Sequence, residues 1–91
     1  MTLFEVIAEP SRRRILSLLR ERERSAGELV ARLGVAQPSV SKHLKVLRDA
    51  KLVTVRGEGA RRIYRLRPEP LAALEAWLAP YRRRYEALKA G

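Results

Sequence analysis

Apolar residues recur through the first fifty positions at the three- and four-residue spacing of amphipathic helices, and the period changes after that. Leu3, Phe4, Val6 and Ile7 make a short apolar patch that stops at Pro10, which predicts a first short helix. Ser11 opens a second, with Ile15, Leu16, Leu18 and Leu19 on one side and Arg12, Arg13, Arg14, Arg20 and Arg22 on the other. Ser25 followed by Glu28 is a capping box, in which each side chain satisfies a free amide of the other residue. The helix it starts is expected to bury Leu29, Val30 and Leu33 and to end on Gly34, which tolerates the left-handed backbone of a C-cap. After Gly34-Val35-Ala36 a fourth helix is expected from about Gln37 to Ala50. Pro38 falls in its first turn, where a missing N–H costs nothing, and Val40, Leu44 and Leu47 form its buried stripe.

From Leu52 to Arg56 the pattern alternates, Gly57-Glu58-Gly59-Ala60 is a flexible turn, and Arg61 to Leu66 is extended again. That is an antiparallel hairpin. Pro68 and Pro70 separate it from a last helix reaching about Ala90, with a kink expected at Pro80. The predicted order is therefore α-α-α-α-β-β-α, mainly α with one β-hairpin, and without internal repeats.

A capped short helix, a three-residue turn and a second helix make a helix-turn-helix, here over about 25–50, and a hairpin directly behind it, about 52–67, makes it a winged one. The second helix of such a motif needs a bulky face toward its own core. Its other face must be small, polar or positive to enter a major groove about 12 Å wide. Ser39, Lys42 and Lys45 point away from the buried stripe, with Gln37 and Ser41 on the flanks near the N-terminus, the part that reaches base edges. Gln37 suits paired hydrogen bonds to adenine, and Lys42 suits guanine or phosphate. His43 on the same helix is expected to pack or to hydrogen-bond a phosphate. In the hairpin, Arg56, Arg61 and Arg62 flank the tip, within reach of phosphates or a minor groove. Residues 51 to 67 hold six basic side chains against one acid, Glu58.

Charge and size sharpen this picture. The 91 residues allow one small domain, 1–91, and the formal charge of +10 points to a polyanion. Of the 20 basic residues 16 are Arg, the side chain best shaped for forked phosphate and guanine contacts. A chain this small has a marginal core, and without cysteine neither disulfides nor zinc-thiolate clusters reinforce it. A partner subunit is another remedy. Leu71, Leu74, Leu78, Tyr81, Tyr85 and Leu88 follow one another at 3, 4, 3, 4 and 3 residues, with Trp77 beside them. The first four helices and the hairpin already supply a core, so this surplus seam over about 70–90, joined by Leu3, Phe4 and Ile7, predicts a homodimer. Because Pro80 disrupts a long regular coiled coil, a short antiparallel or crossed helix pair is expected.

Taken together, Pro10-Ser11-Arg12-Arg13-Arg14-Ile15-Leu16, Ser25-Ala26-Gly27-Glu28-Leu29, Gln37-Pro38-Ser39-Val40-Ser41-Lys42-His43-Leu44-Lys45-Val46-Leu47 and Gly59-Ala60-Arg61-Arg62-Ile63-Tyr64-Arg65-Leu66 resemble the ArsR/SmtB family of bacterial winged-helix repressors. The resemblance covers nearly the whole chain. It implies a homodimeric repressor on double-stranded DNA, with the positions of Gln37, Ser39, Ser41, Lys42 and the wing arginines at the DNA. A two-fold dimer sets its recognition helices about 34–36 Å apart, one turn of B-DNA, and so implies a near-palindromic operator. Ala36 departs from the family, where a capping Ser is common, and predicts a recognition helix that frays more easily. Members that sense metals use Cys on the first helix of the motif, or Asp, His and Glu on the last helix. Neither set is present here, and no metal or other cofactor is expected. Trp77-Leu78-Ala79-Pro80-Tyr81-Arg82-Arg83 resembles the tail of a metal-free subgroup, which implies an organic effector, or none with control by autoregulation.

Catalysis finds no support: the sequence suggests no Ser/His/Asp set and no Gly-rich phosphate loop after a strand. No apolar run approaches the ~18 residues that span a bilayer, and the first residues lack the basic start of a signal peptide, so a cytoplasmic protein with no membrane contact is expected. Two alternatives stay open: a winged-helix module that holds a protein partner, and a basic surface for non-specific nucleic acid or anionic lipid.

Overall fold

The short helices at the start of the chain are held at both ends by side chains that satisfy their free backbone groups. In the computed structural model, which describes residues 1–91, α1 spans Leu3–Ala8 and α2 spans Pro10–Glu21. Thr2 and Glu5 form a capping box on α1, the Glu5 carboxylate accepting from the Thr2 amide at 2.8 Å. At the other end, all of the last four α1 carbonyls accept from two arginines of α2. Arg12 donates to Glu5 and Val6, and Arg13 to Ile7 and Ala8, at 2.6–3.1 Å. The second helix begins one residue before the expected Ser11. Pro10 takes the first position and the Glu9 carboxylate accepts from the Ser11 amide at 3.1 Å, because proline leaves no amide of its own to cap.

The next helix, α3 (Ala26–Leu33), starts on the Ser25/Glu28 capping box and stops at Gly34, whose φ of +68° is left-handed. Helix α4 (Gln37–Asp49) follows the turn. Its N-cap, Ala36, makes no side-chain bond. Its other end closes tightly, since Lys51 donates to Arg48 O and Leu52 to Leu47 O, each at 2.9 Å. That double closure requires a left-handed residue, and Lys51 supplies it at φ +63° without being glycine.

The hairpin is β2 (Val53–Glu58) and β3 (Arg61–Leu66), in register from Val53 opposite Leu66 to Glu58 opposite Arg61. A further two-residue strand, β1 (Arg24–Ser25), pairs with the other edge of β3, making a three-stranded antiparallel sheet of order β1-β3-β2. The predicted order lacked this strand, because two residues are too few to show an alternating pattern. The chain is mainly helical with a small sheet, as its periodicities predicted.

Val6, Ile15, Leu19, Leu29, Leu33, Val40, Leu44, Leu47, Leu52, Val53 and Tyr64 form one core beneath these elements. Beyond a 3-10 turn at Glu69–Leu71, α5 (Ala72–Ala90) runs through Pro80 without a break and buries none of its residues. At 1.5 Å per residue it is about 28 Å long. It gives the molecule an elongated outline, 57 × 25 × 23 Å, and a radius of gyration of 15.7 Å. A compact chain of this length has a radius of about 12 Å.

Candidate nucleic-acid interface

One face of α4 is bare. Gln37, Ser39, Ser41, Lys42 and Lys45 are all exposed, while Val40, Leu44 and Leu47 behind them are buried. The ridge of Gln37, Ser41, Lys45 and Arg48, spaced four, four and three residues apart, forms one wall of a cleft of about 480 Å³, and Arg62 and Tyr64 of β3 form the other. Val30, Val40 and Leu44 lie at its base. Arg48 was not among the expected site residues, although its place on this ridge follows from its spacing to Gln37, Ser41 and Lys45. A second cleft, of about 350 Å³, brings Arg61 and Arg62 beside Gln37 and the start of α3 at Ser25, Ala26 and Gly27. Gln37 and Arg62 therefore belong to both clefts. Ser39 and Lys42 line neither.

His43 is half-buried, its Nδ1 3.4 Å from the Arg12 guanidinium, so it faces α2 rather than open solvent. Lys45 pairs with Asp49 at 3.4 Å on the solvent face. The three wing arginines differ more sharply. Arg62 has no acidic partner, and Arg61 makes one bond, to Glu28 at 3.3 Å. Arg56 is held by Glu23 through both guanidinium ends, at 2.7 and 3.3 Å, and by Glu58 at 3.1 Å. The Arg56 hydrogen bonds hold the Glu23 carboxyl below its ordinary value, and the two carboxylates raise that of Arg56. Glu28 is lowered too, chiefly by the Ser25 amide and then by Arg22. Beneath this layer Arg24 is buried. It donates to Leu18 O at 3.1 Å and to Glu21 at 2.6 Å, while its Nη1 lies 3.9 Å from Glu28 with no hydrogen-bond partner. No three His, Cys, Asp or Glu side chains stand together as the ligands of a metal do.

A helix-turn-helix with a basic hairpin is shared by many regulators, and comparison with known proteins narrows it. The profile of the bacterial regulatory protein, arsR family, matches residues 9–55. The chain belongs to the ArsR family. It is 45% identical over 71 residues to the HTH-type transcriptional regulator Rv2034 of Mycobacterium tuberculosis, covering 78% of this chain but just under two-thirds, 66%, of that relative. It is 30% identical over 76 residues to the transcriptional repressor SdpR of Bacillus subtilis, covering 84% of each. The crystal structure of the ArsR family transcriptional regulator RHA00566 superposes with a TM-score of 0.79 at 32% identity, over 91% of this chain and 86% of that one. These relatives are named as regulators of transcription, and the family to which the chain belongs is one of DNA-binding transcriptional regulators.

A second surface of this ArsR-family chain lies along α5. Phe4, Trp77, Leu78, Tyr81, Tyr85 and Leu88 are 48–65% exposed, and Leu3, Ile7, Leu71 and Leu74 are half-buried at their base. The Phe4 ring meets Trp77 edge-on at 5.4 Å, and Trp77 lies 4.7 Å from Tyr81, so α1 and α5 share one apolar surface.

Proposed function

We propose that the chain is a homodimeric, sequence-specific repressor that binds a near-palindromic operator, in its own promoter among others, without sensing a metal. One observation carries the reading: the bare polar ridge of α4 and the unpaired Arg62 of the hairpin wall a single cleft. In this arrangement the helix-turn-helix, about 25–50, places Gln37, Ser39, Ser41 and Lys42 at base edges. Lys45, Arg48, Arg61 and Arg62 neutralise the phosphates that run between helix and wing, about 52–67, while His43 packs beside Arg12 of α2 behind this face. The surface of Leu3, Phe4, Ile7, Leu71, Leu74, Trp77, Leu78, Tyr81, Tyr85 and Leu88 pairs two copies, making about 70–90 the dimerisation helix. An exposed apolar surface of this kind marks a protein contact. The repressor reading is also supported by the name of SdpR. No helix is long and apolar enough to cross a membrane, in keeping with a regulator working on the chromosome in the cytoplasm. Any effector is organic.

Selection of bound duplexes from a random library, followed by titration against salt, tests this. The expected result is a two-fold related consensus, and affinity that falls steeply with salt. Equal affinity for selected and scrambled duplexes at every salt concentration contradicts it and favours a module that holds a protein partner.

A further inference from the structure

The sequence makes Arg56, Arg61 and Arg62 look equivalent, three cations around one turn, but the structure gives them different surroundings. Arg62 lines both clefts beside α4 and has no acidic partner, and Arg61 lines one of them and makes a single 3.3 Å bond. Arg56 lines neither. Its guanidinium is already occupied by two carboxylates. Glu23 takes it in a two-pronged fork through Nη1 and Nη2, the strongest geometry an arginine makes with a carboxylate, and Glu58 accepts a further bond from Nη2. A phosphate reaching Arg56 meets a cation whose charge Glu23 and Glu58 already offset, and whose orientation the fork fixes.

The fork also has a mechanical position. Glu23 sits in the connection between α2 and β1, thirty-three residues from Arg56 on β2. These two strands are the outer edges of the sheet, so the bond spans across β3, where Arg56 stands opposite Ile63. Apart from its pairing with β3, β2 has no other strand neighbour. The Glu23–Arg56 fork therefore braces the free edge of the hairpin against the segment that leads into α3.

We infer that Arg56 is a positioning residue, which contacts no DNA and fixes, through Glu23, the angle at which the hairpin presents Arg61 and Arg62 beside the recognition helix. This rests on the DNA-binding reading above, and the two assignments of Arg56 differ in sign. If Arg56 binds phosphate, Glu23 competes with the DNA, and Glu23→Gln strengthens binding. If Arg56 is a brace, Glu23→Gln weakens it.

The test uses the full chain and a fluorescein-labelled duplex carrying the selected operator. Glu23→Gln, Arg56→Ala and Arg56→Lys are each expected to weaken binding about two- to fivefold, the scale of one exposed ion pair, with the salt slope unchanged. Lysine keeps the charge but not the fork. Arg62→Ala, by contrast, lowers the slope by about one. The exchange Glu23→Arg with Arg56→Glu keeps the net charge and leaves an arginine beside carboxylates at 56 and 58, so it is expected to restore affinity. A stronger-binding Glu23→Gln, a slope that falls by about one in Arg56→Ala, or an exchange variant no better than Arg56→Ala overturns the inference. Amide exchange at residues 57–60 in the DNA-free protein reads the brace without DNA. It is expected to quicken in Glu23→Gln and Arg56→Lys and to recover in the exchange variant, and unchanged rates in both single variants overturn the inference. Failure of the wild-type chain to prefer any duplex refutes the DNA reading instead.

Discussion

Helices α4 and α5 carry large apolar side chains at the same three- and four-residue spacings, yet the two stripes meet different surroundings. In α4, Val40, Leu44 and Leu47 are buried in the core that this helix shares with α2, α3 and β2. In α5, the corresponding stripe lies open, and its inner neighbours Leu71 and Leu74 are only half covered. Helical periodicity shows that a face is apolar. What covers that face depends on how much core the rest of the chain already has. Here α1 to β3 close their own core, so α5, which meets α1 through Phe4 and Trp77, is left with most of its apolar surface open.

Substitutions at matched positions should separate the two stripes. Leu44→Ala removes a fully packed side chain and is expected to cost about 2–5 kcal/mol in urea unfolding, whereas Leu78→Ala costs under about 0.5 kcal/mol when measured on the dilute monomer. Equal losses would mean that α5 is packed on its own chain. Tyr81→Glu puts a charge into the proposed subunit contact. It is expected to leave helix content unchanged by circular dichroism while raising the dimer dissociation constant about 100-fold. A variant that stays dimeric would remove α5 from the interface.

Smaller effects come from the ends of α4, which the chain constrains and α5 does not share. Lys51→Gly relieves a left-handed lysine and is expected to gain about 0.5–1 kcal/mol. Ala36→Ser supplies the missing cap for a gain of similar or smaller size, about 0.5–1 kcal/mol. An unchanged or lower melting temperature in either variant contradicts the corresponding account. The smallest effect is on pH. Glu5, Glu23 and Glu28 all titrate below the ordinary 4.5 because hydrogen bonds favour their charged forms. Their contribution is complete above about pH 4.5 and is lost as the pH falls through the lowered values. Glu23→Gln combined with Glu28→Gln should flatten that acid limb of the stability curve, and an unaltered limb would show that these pairs do not stabilise the fold.

How much of this was legible beforehand depends on the range of the interaction. The Ser25/Glu28 box, the Gly34 stop and the Val40, Leu44, Leu47 stripe are local patterns, and all three stand where the sequence puts them. Thr2 and Glu5 carry the same three-residue signal at the start of α1. The run Arg12-Arg13-Arg14 looks like a solvated basic face until the fold brings the ends of α1 and α3 to it. Arg14 reaches the Leu33 carbonyl at 3.4 Å, much as its two neighbours cap α1. No spacing rule links Glu23 to Arg56 or Arg12 to His43, because those pairs exist only through tertiary packing. Pro80 was expected to kink α5. The helix runs unbroken through that residue, and Pro80 and Ala76, whose carbonyl loses its donor to the proline, both lie at exposed positions.

The central claim is that the open stripe of α5 belongs to a second copy of the chain. Static light scattering of the DNA-free protein at micromolar concentration tests it most directly. A mass of twice the 10.4 kDa chain, falling to the single-chain value in Tyr81→Glu, is the predicted result. A mass of 10.4 kDa for the wild-type chain at every concentration would contradict it.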